Sequence, residues 1–452
     1  MIFTSGLSMS YLLKSANIIS FDPPAVEEGA DLRIANSRIV ERGSHVEPLP
    51  EEEVIDFSGK LIMPGMVCAH THLYSALARG MPAPPLTPTN FKEILELVWW
   101  RLDRALDEET IYWSAIAGAM DAARAGSTCL FDHHASPSHI RGSLQIVREA
   151  IEKVGLRAVL CYEVTDRGGV AERDEGLSEN RAFLEWTSQS NNQAGIDTRP
   201  PAQFRAMVGA HASFTVSDES LDRCAALMRE FNAGLHIHAA EDKCDVEDAR
   251  SSYGSGIVER LSKHNALNAR TILAHGIHLS DSEIDAAKSA GVWFAHNPRS
   301  NANNQVGYAP VAKFGSRMVL GTDGIGADMF EETRFAYFKS RDSGSGLGAD
   351  DWLRVLANNQ RLASAMFGEK LGALDAGCPA DLIVLDYQAP TPLTAGNLAW
   401  HIAFAMSSGS VASVMVNGRF VIRDRRSAFD DQYLSEQARS ATEKLWKELQ
   451  TL

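Results

Sequence analysis

The chain has 452 residues, 45% hydrophobic and 22% charged, the balance of a globular protein long enough to bury about 75% of its unfolded surface. That excludes a small disulfide scaffold, a disordered tail and a fibre. With 43 Lys and Arg against 58 Asp and Glu the formal charge is -15, and no basic stripe interleaved with aromatics offsets it, so nucleic acid is not an expected partner.

Residues 1–20 carry no cationic region ahead of an apolar stretch and no small-residue cleavage signal. No apolar run reaches the roughly 20 residues a membrane helix needs. The 6 cysteines are scattered, none in a C-x-x-C pair, as a reducing compartment permits. The expectation is a cytoplasmic chain with no membrane partner.

Residues 12–62 alternate short apolar runs with Pro and Gly punctuation and predict strands. The same texture returns at 381–385 and 411–422, where Asn417-Gly418 is a hairpin signal. The two β-rich ends are expected to pair as one small β-sandwich, from segments 1–62 and 373–430. Helical spacing at 433–449 predicts a packing helix, within a last unit at 431–452.

Between them lies an alternation of strands and helices. Strands are predicted at 67–72, 128–134, 158–164, 205–210, 234–239, 271–276, 292–296 and 318–322, with amphipathic helices at 108–125, 144–154 and 280–290 among the connections. About eight β-α units over some 300 residues is the arithmetic of an α/β fold, the (β/α)8 TIM barrel, here at 63–372. A doubly wound sheet fits less well, because no glycine-rich nucleotide turn follows any of these strands.

Most of the 14 histidines fall at the C-terminal ends of predicted strands, where barrel enzymes place their chemistry. His70-Thr71-His72 ends the first strand, and positions i and i+2 of a strand face the same way. His236-Ile237-His238 leads to Glu241 after the fifth, His275 ends the sixth, and Asp323 follows the eighth. Three imidazoles and a carboxylate make a ligand set for zinc, iron or manganese. Taken singly, each has a plainer reading: a core histidine for His275, a loop carboxylate for Glu241, a helix cap for Asp323.

On these residues the chain resembles the metal-dependent amidohydrolase superfamily. The likeness runs from Gly59-Lys60-Leu61-Ile62-Met63-Pro64-Gly65 into His70 and His72, through Ala274-His275-Gly276 and His296-Asn297-Pro298-Arg299-Ser300-Asn301, to Gly377-Cys378-Pro379-Ala380-Asp381-Leu382. Trp99 to Arg104, Asp132 to Pro137 and Gly321 to Gly326 are most similar to the SsnA-type aminohydrolases, in the branch of cyclic-amidine deaminases and triazine hydrolases.

The resemblance implies that His70, His72, His238 and Asp323 hold one divalent metal, Zn2+ foremost, with Fe2+ or Mn2+ as alternatives. A water there would have its pKa lowered toward about 7. Asp323 would take that water's proton, Glu241 would protonate the ring nitrogen, and His275 would hydrogen-bond the attacking oxygen. Members with two metals bridge them by a modified lysine on the fourth strand, and Phe204 to His211 contains none, which favours one metal and deamination.

The implied substrate is a small aminated heterocycle, such as a purine, pterin or triazine. His211 is placed to contact it, or to serve the fold. Of Asp132-His133-His134, alternation lets Asp132 and His134, or else His133, face a cavity; His134 is a candidate contact. Trp99 and Trp100 are read as an aromatic wall or as core. Guanine deaminases carry glutamine three residues past the second histidine; Ser75 stands there and argues against guanine itself. Displacement of chloride or alkylamine from a ring, and a non-catalytic scaffolding relative, are the alternatives. A homo-oligomer is expected by resemblance.

Overall fold

The computed structural model describes residues 10–192 and 202–452. Residues 1–9, part of the 1–20 stretch read for a targeting signal and of the predicted 1–62 unit, lie outside the described residues. In chain order the strands are β1 (Tyr11–Phe21), β2 (Pro24–Ala35), β3 (Arg38–Gly43), β4 (Glu53–Asp56), β5 (Leu61–Pro64), β6 (Met66–Thr71), β7 (Ser127–His134), β8 (Arg157–Val164), β9 (Phe204–Ala206), β10 (Val208–Ala212), β11 (Leu235–Ala239), β12 (Ile272–His275), β13 (Trp293–His296), β14 (Met318–Leu320), β15 (Leu382–Leu385), β16 (Val411–Val416), β17 (Arg419–Arg423) and β18 (Arg426–Ser427).

Among the described residues these form two sheets of nine strands. The first joins both chain ends in the order β18-β17-β16-β15-β5-β1-β2-β3, with β4 also on β1, around a core that includes Leu13, Ile18, Leu32, Ile62, Leu382 and Met415. Bulges between Leu13 and Ile18 bend β1, so that its first half pairs with β4 and its second half with β5. The β16–β17 hairpin turns on Asn417 and Gly418, at φ 50° and 68°, the left-handed pair that a two-residue turn requires.

The second sheet is the barrel, all parallel, in the order β6-β7-β8-β10-β11-β12-β13-β14. It closes beyond the end of β14, where Thr322 N and Asp323 N both donate to His70 O, at 2.9 and 3.0 Å. Closure therefore fixes Asp323 against the histidine strand. The predicted strand at 205–210 is two pieces: β9 pairs only with β8, while β10 lies between β8 and β11. The chain passes from one sheet to the other through Gly65 alone, so the expected boundary at 62/63 falls inside β5. A Cβ at Gly65 would lie 2.2 Å from the Thr128 methyl, which leaves room for glycine only.

Helices Glu108–Arg124, Ser143–Val154, Val170–Asn192, Asp218–Phe231 and Asp281–Ser289 supply crossovers around the barrel. The helix Asp431–Leu449 packs on Glu108–Arg124 and bonds the segments before it, Trp446 Nε1 donating to Leu77 O at 3.0 Å and Arg101 Nη2 donating to Leu449 O at 2.6 Å. Among the described residues all 6 cysteines are free thiols, and no helix is long and apolar enough to cross a membrane.

One ion pair joins the sheets. Arg157, fully buried at the start of β8, donates to Asp381 beside β15 and to Asn417 in the hairpin. Its removal leaves a buried carboxylate without its counter-charge, a loss of about 3–5 kcal/mol. Arg157→Ala should lower the urea midpoint accordingly; a change below about 1 kcal/mol would assign the joint to apolar packing instead.

Candidate active site

The histidines of β6 and β11 converge at the C-terminal mouth of the barrel, each aimed by a hydrogen bond at its other nitrogen. Nδ1–H of His72 donates to His133 O at 2.6 Å, and that of His238 to His211 O at 2.8 Å. Nδ1 of His70 meets His236 Nε2 at 2.9 Å, and Nδ1–H of His275 donates to Asn301 Oδ1 at 2.8 Å. These outer bonds leave each Nε2 facing the same small volume.

There ring nitrogens and a carboxylate crowd together. Nε2 of His72 lies 3.2 Å from Nε2 of His238 and 3.1 Å from Asp323 Oδ1, while Nε2 of His70 lies 3.8 Å from the same oxygen. Nε2 of His70 and of His275 have no hydrogen-bond partner among the described residues. Two ligands held 2.0–2.1 Å from one zinc at the tetrahedral angle stand about 3.3 Å apart. The spacing and the donor chemistry both fit a divalent cation, and overlapping groups could hold one: His70 with His72 and Asp323, His70 with His238 and His275, His72 with His133, Glu163 and His238, and Glu241 with His275 and Asp323.

The backbone supports this arrangement under strain. His275 and Asp323 adopt φ of 72° and 54°, the left-handed region that non-glycine residues rarely visit, which concentrates strain where two site residues sit. Thr71 Oγ1–H donates to Asp323 O at 3.1 Å, and Ser300 Oγ–H donates to Asp323 Oδ2 at 2.6 Å.

Two carboxyls beside the centre are driven apart. Burial pushes the Asp323 carboxyl up, but the hydrogen bond and charge of His72, with His275 and His238, outweigh it and hold the group well below the usual range. Burial pushes Glu241 up to about 7, assisted by the Asp323 charge and opposed by His275 and an Asn304 hydrogen bond of 3.2 Å. His275 stands between them, its Nε2 3.4 Å from Glu241 Oε2 and 3.7 Å from Asp323 Oδ2. Near neutral pH Asp323 is thus ionised, while Glu241 sits close to its own pKa and can hold or release a proton.

A cavity opens over this centre. His72, His238, Glu241 and Asp323 form its floor, and Phe91, Leu95, Trp99, Trp100, Phe214 and Ile325 its walls. The helical stretch from Phe91 to Ala105 widens to a π turn at Leu95–Trp99, and Trp99 and Trp100, adjacent in sequence, both reach the wall. Arg167 stacks on Trp100 at 4.5 Å and donates to Asp103 Oδ2 at 2.8 Å.

The structure brings together His70, His72, His238, Glu241, His275 and Asp323. His211 lines the cavity, its Nδ1–H donating to Thr215 Oγ1 at 2.6 Å, and burial pulls its imidazole down to about 4, so the ring is neutral. Ser75 also lines the cavity, but its hydroxyl is turned to the main chain, 2.8 Å from His72 O and 3.0 Å from Gly324 O. His134, expected to contact substrate, is corrected: alternation along β7 turns it out of the cavity lining, and its Nε2 meets Ser136 Oγ at 3.0 Å. His133 takes the inward position, its ring among those of His70, His72, His236 and His238. Sequence reading missed Glu163, Asp103 and Asn304. A carboxylate at the end of an otherwise apolar strand, Cys161-Tyr162-Glu163-Val164, was the available signal for the first.

Residues 61–421 match the profile of the amidohydrolase family. The 5'-deoxyadenosine deaminase of Methanopyrus kandleri (strain AV19) is 30% identical over 442 residues, 94% of this chain and 97% of that protein. The 5-methylthioadenosine/S-adenosylhomocysteine deaminase of Caldanaerobacter subterraneus subsp. tengcongensis is 28% identical over 428 residues, 92% and 94%. Among solved structures, a zinc-bound adenosine deaminase from Xanthomonas campestris superposes with a TM-score of 0.84 at 22% identity, over 97% of this chain and 99% of that one. Zinc-bound atrazine chlorohydrolase from Arthrobacter aurescens TC1 superposes with a TM-score of 0.79 at 21% identity, over 96% and 100%; at such identities the likeness is one of fold.

A metal at this centre competes with a proton. Burial pulls the His72 imidazole down, but the hydrogen bond and charge of Asp323 raise it to about 9. Metal uptake releases that proton, so apparent zinc affinity should fall by about tenfold per pH unit below 9. Chelator competition across pH 6–9 measures the slope, and a flat profile would remove the His72 proton from the linkage.

Proposed function

The chain belongs to the amidohydrolase family, and from that premise we propose that it is a hydrolytic deaminase of an aminated N-heterocycle, working with one divalent metal, zinc. The observation that carries the reading is the placing of Glu241 and Asp323 on either side of His275 Nε2, at 3.4 and 3.7 Å, where burial lifts Glu241 and the neighbouring histidines hold Asp323 down. Environments that separate two carboxyls in this way assign the base and the acid.

The metal, when bound, supplies Lewis acidity that brings the pKa of water from 15.7 to about 7. Asp323 accepts the proton of the attacking water, and Ser300 keeps its Oδ2 oriented meanwhile. Glu241 delivers a proton to the ring nitrogen beside the scissile carbon, so that charge does not build up there as the oxygen adds. Asn304 holds Oε1 of Glu241, which leaves Oε2 on the His275 side. With its Nδ1–H bonded to Asn301, His275 presents Nε2 as an acceptor to the attacking oxygen. Asp323 then returns its proton to the departing ammonia, and the carbonyl forms as the added oxygen gives up its remaining proton, which restores Glu241 to its acid form.

Trp99, Trp100, Phe91 and Phe214 suit a flat ring, and His211 offers it a neutral nitrogen. Relatives named as deaminases of 5'-deoxyadenosine and of 5-methylthioadenosine support an adenine-like amidine. Loss of chloride is the alternative reaction in the same site, and the deaminase names of the relatives favour amine loss.

Ammonia release from aminopurines, pterins, pyrimidines and triazines, with the metal content measured, tests the proposal. Release from one ring class is expected; a full metal complement with no release from any ring would sink it. Glu241→Gln should retain the metal and lose about 10²-fold or more in kcat. Normal turnover by that variant would take Glu241 out of the mechanism.

A further inference from the structure

The chemistry assigned above uses the ends of β6, β11 and β12 and residues that follow β11 and β14. It leaves unexplained a carboxylate at the end of β8. Glu163 is 4% exposed, and it sits between two histidines that are not in the ligand set. His133 on β7 brings Nδ1 to 3.2 Å from Glu163 Oε2, and His211 on β10 brings Nε2 to 3.8 Å from Oε1. These two residues are the ones whose main-chain carbonyls receive the Nδ1–H groups of His72 and His238.

We propose that Glu163 is a positioning residue for the metal centre, acting on His72 through His133, the residue whose main-chain carbonyl aims it. The inference rests on the reading that the His72 imidazole holds a metal. His133 is held at one end, its Nε2–H donating to His236 O at 3.1 Å, while Nδ1 stands 3.2 Å from the carboxylate. His236 in turn meets His70 Nδ1, so His72 and His70 both trace back to His133, the histidine beside the carboxylate. β8 lies between β7 and β10 in the barrel, and one side chain at its end therefore sets the spacing of the neighbours that aim the ligands. Outer groups of this kind alter metal affinity by about 10–100-fold when they are removed.

The same carboxylate lies within 4.8 Å of the nitrogens of His72, His133 and His238, a grouping that could itself receive a cation. Counting metal separates the two roles. Full-length protein is stripped, reloaded with Zn2+, and assayed for zinc per chain and for zinc affinity by chelator competition, alongside its thermal midpoint. With Glu163→Gln, zinc is expected to stay at one per chain while its dissociation constant rises at least tenfold and the midpoint of the metal-free protein is held. Glu163→Asp keeps the charge but draws it back by one methylene, so it should weaken zinc binding less, by about threefold.

Unchanged affinity in Glu163→Gln would overturn the inference while leaving the metal reading intact. So would a parent that binds two zinc ions and a variant that binds one, because Glu163 would then be a ligand. A parent that takes up no zinc would overturn the metal reading, and this inference with it. Should Glu163→Gln fail to fold, the visible spectrum of the Co2+-loaded parent against Co2+-loaded Glu163→Asp decides. A shifted d–d envelope supports positioning, and an identical one at equal affinity refutes it.

Discussion

Imidazole lone pairs and a carboxylate cannot be packed face to face in a buried site unless a positive charge stands among them. The mouth of this barrel is arranged around that constraint. His72, His238 and His275 commit Nδ1–H to an oxygen and His70 commits Nδ1 to another imidazole, so each has a single nitrogen left for the centre. Closure of the barrel then brings Asp323 to them, because the two amides that seal β14 against β6 both bond the carbonyl of His70. The fold and the donor set are in this sense one construction: the last hydrogen bonds of the barrel are also those that complete the ligand group.

The same concentration of charge separates the two carboxyls. Both are buried, and burial pushes both upward; what differs is the company each keeps. Asp323 touches His72 and lies close to His275 and His238, whereas Glu241 has His275 and an amide on one side and the Asp323 charge beyond. Acid and base therefore come from position along one short path, Glu241 to His275 to Asp323, with no need for different residue types.

Much of this was legible in the sequence because strand periodicity and strand ends are local properties. Seven of the eight predicted barrel strands agree with single observed strands to within a residue or two, and the H-x-H pair, His238, Glu241, His275 and Asp323 all fall where alternation and strand ends put them. The fourth was misread as one strand because Met207 interrupts the ladder only in three dimensions, where β9 pairs on one side and β10 on two. His134 was misplaced for a related reason: in Asp132-His133-His134 alternation allows two phases, and the choice is made by Glu163 on the neighbouring strand. Asn304 and Asp103 carry no periodic signature; the first matters through one bond to Glu241 and the second through one to Arg167.

The helix Asp431–Leu449 leans on the segment that follows His72, through Trp446 and Leu77, and on the Trp99–Trp100 helix, through Arg101 and Leu449. The wall that would grip a substrate is thus braced by residues made some 350 positions later. During synthesis the histidines of β6 leave the ribosome early, yet the surface above them cannot settle until the helix that supports it has emerged. The candidate donor set is thus complete in the chain at Asp323, while the tryptophan wall gains its brace only once Trp446 and Leu449 have been added.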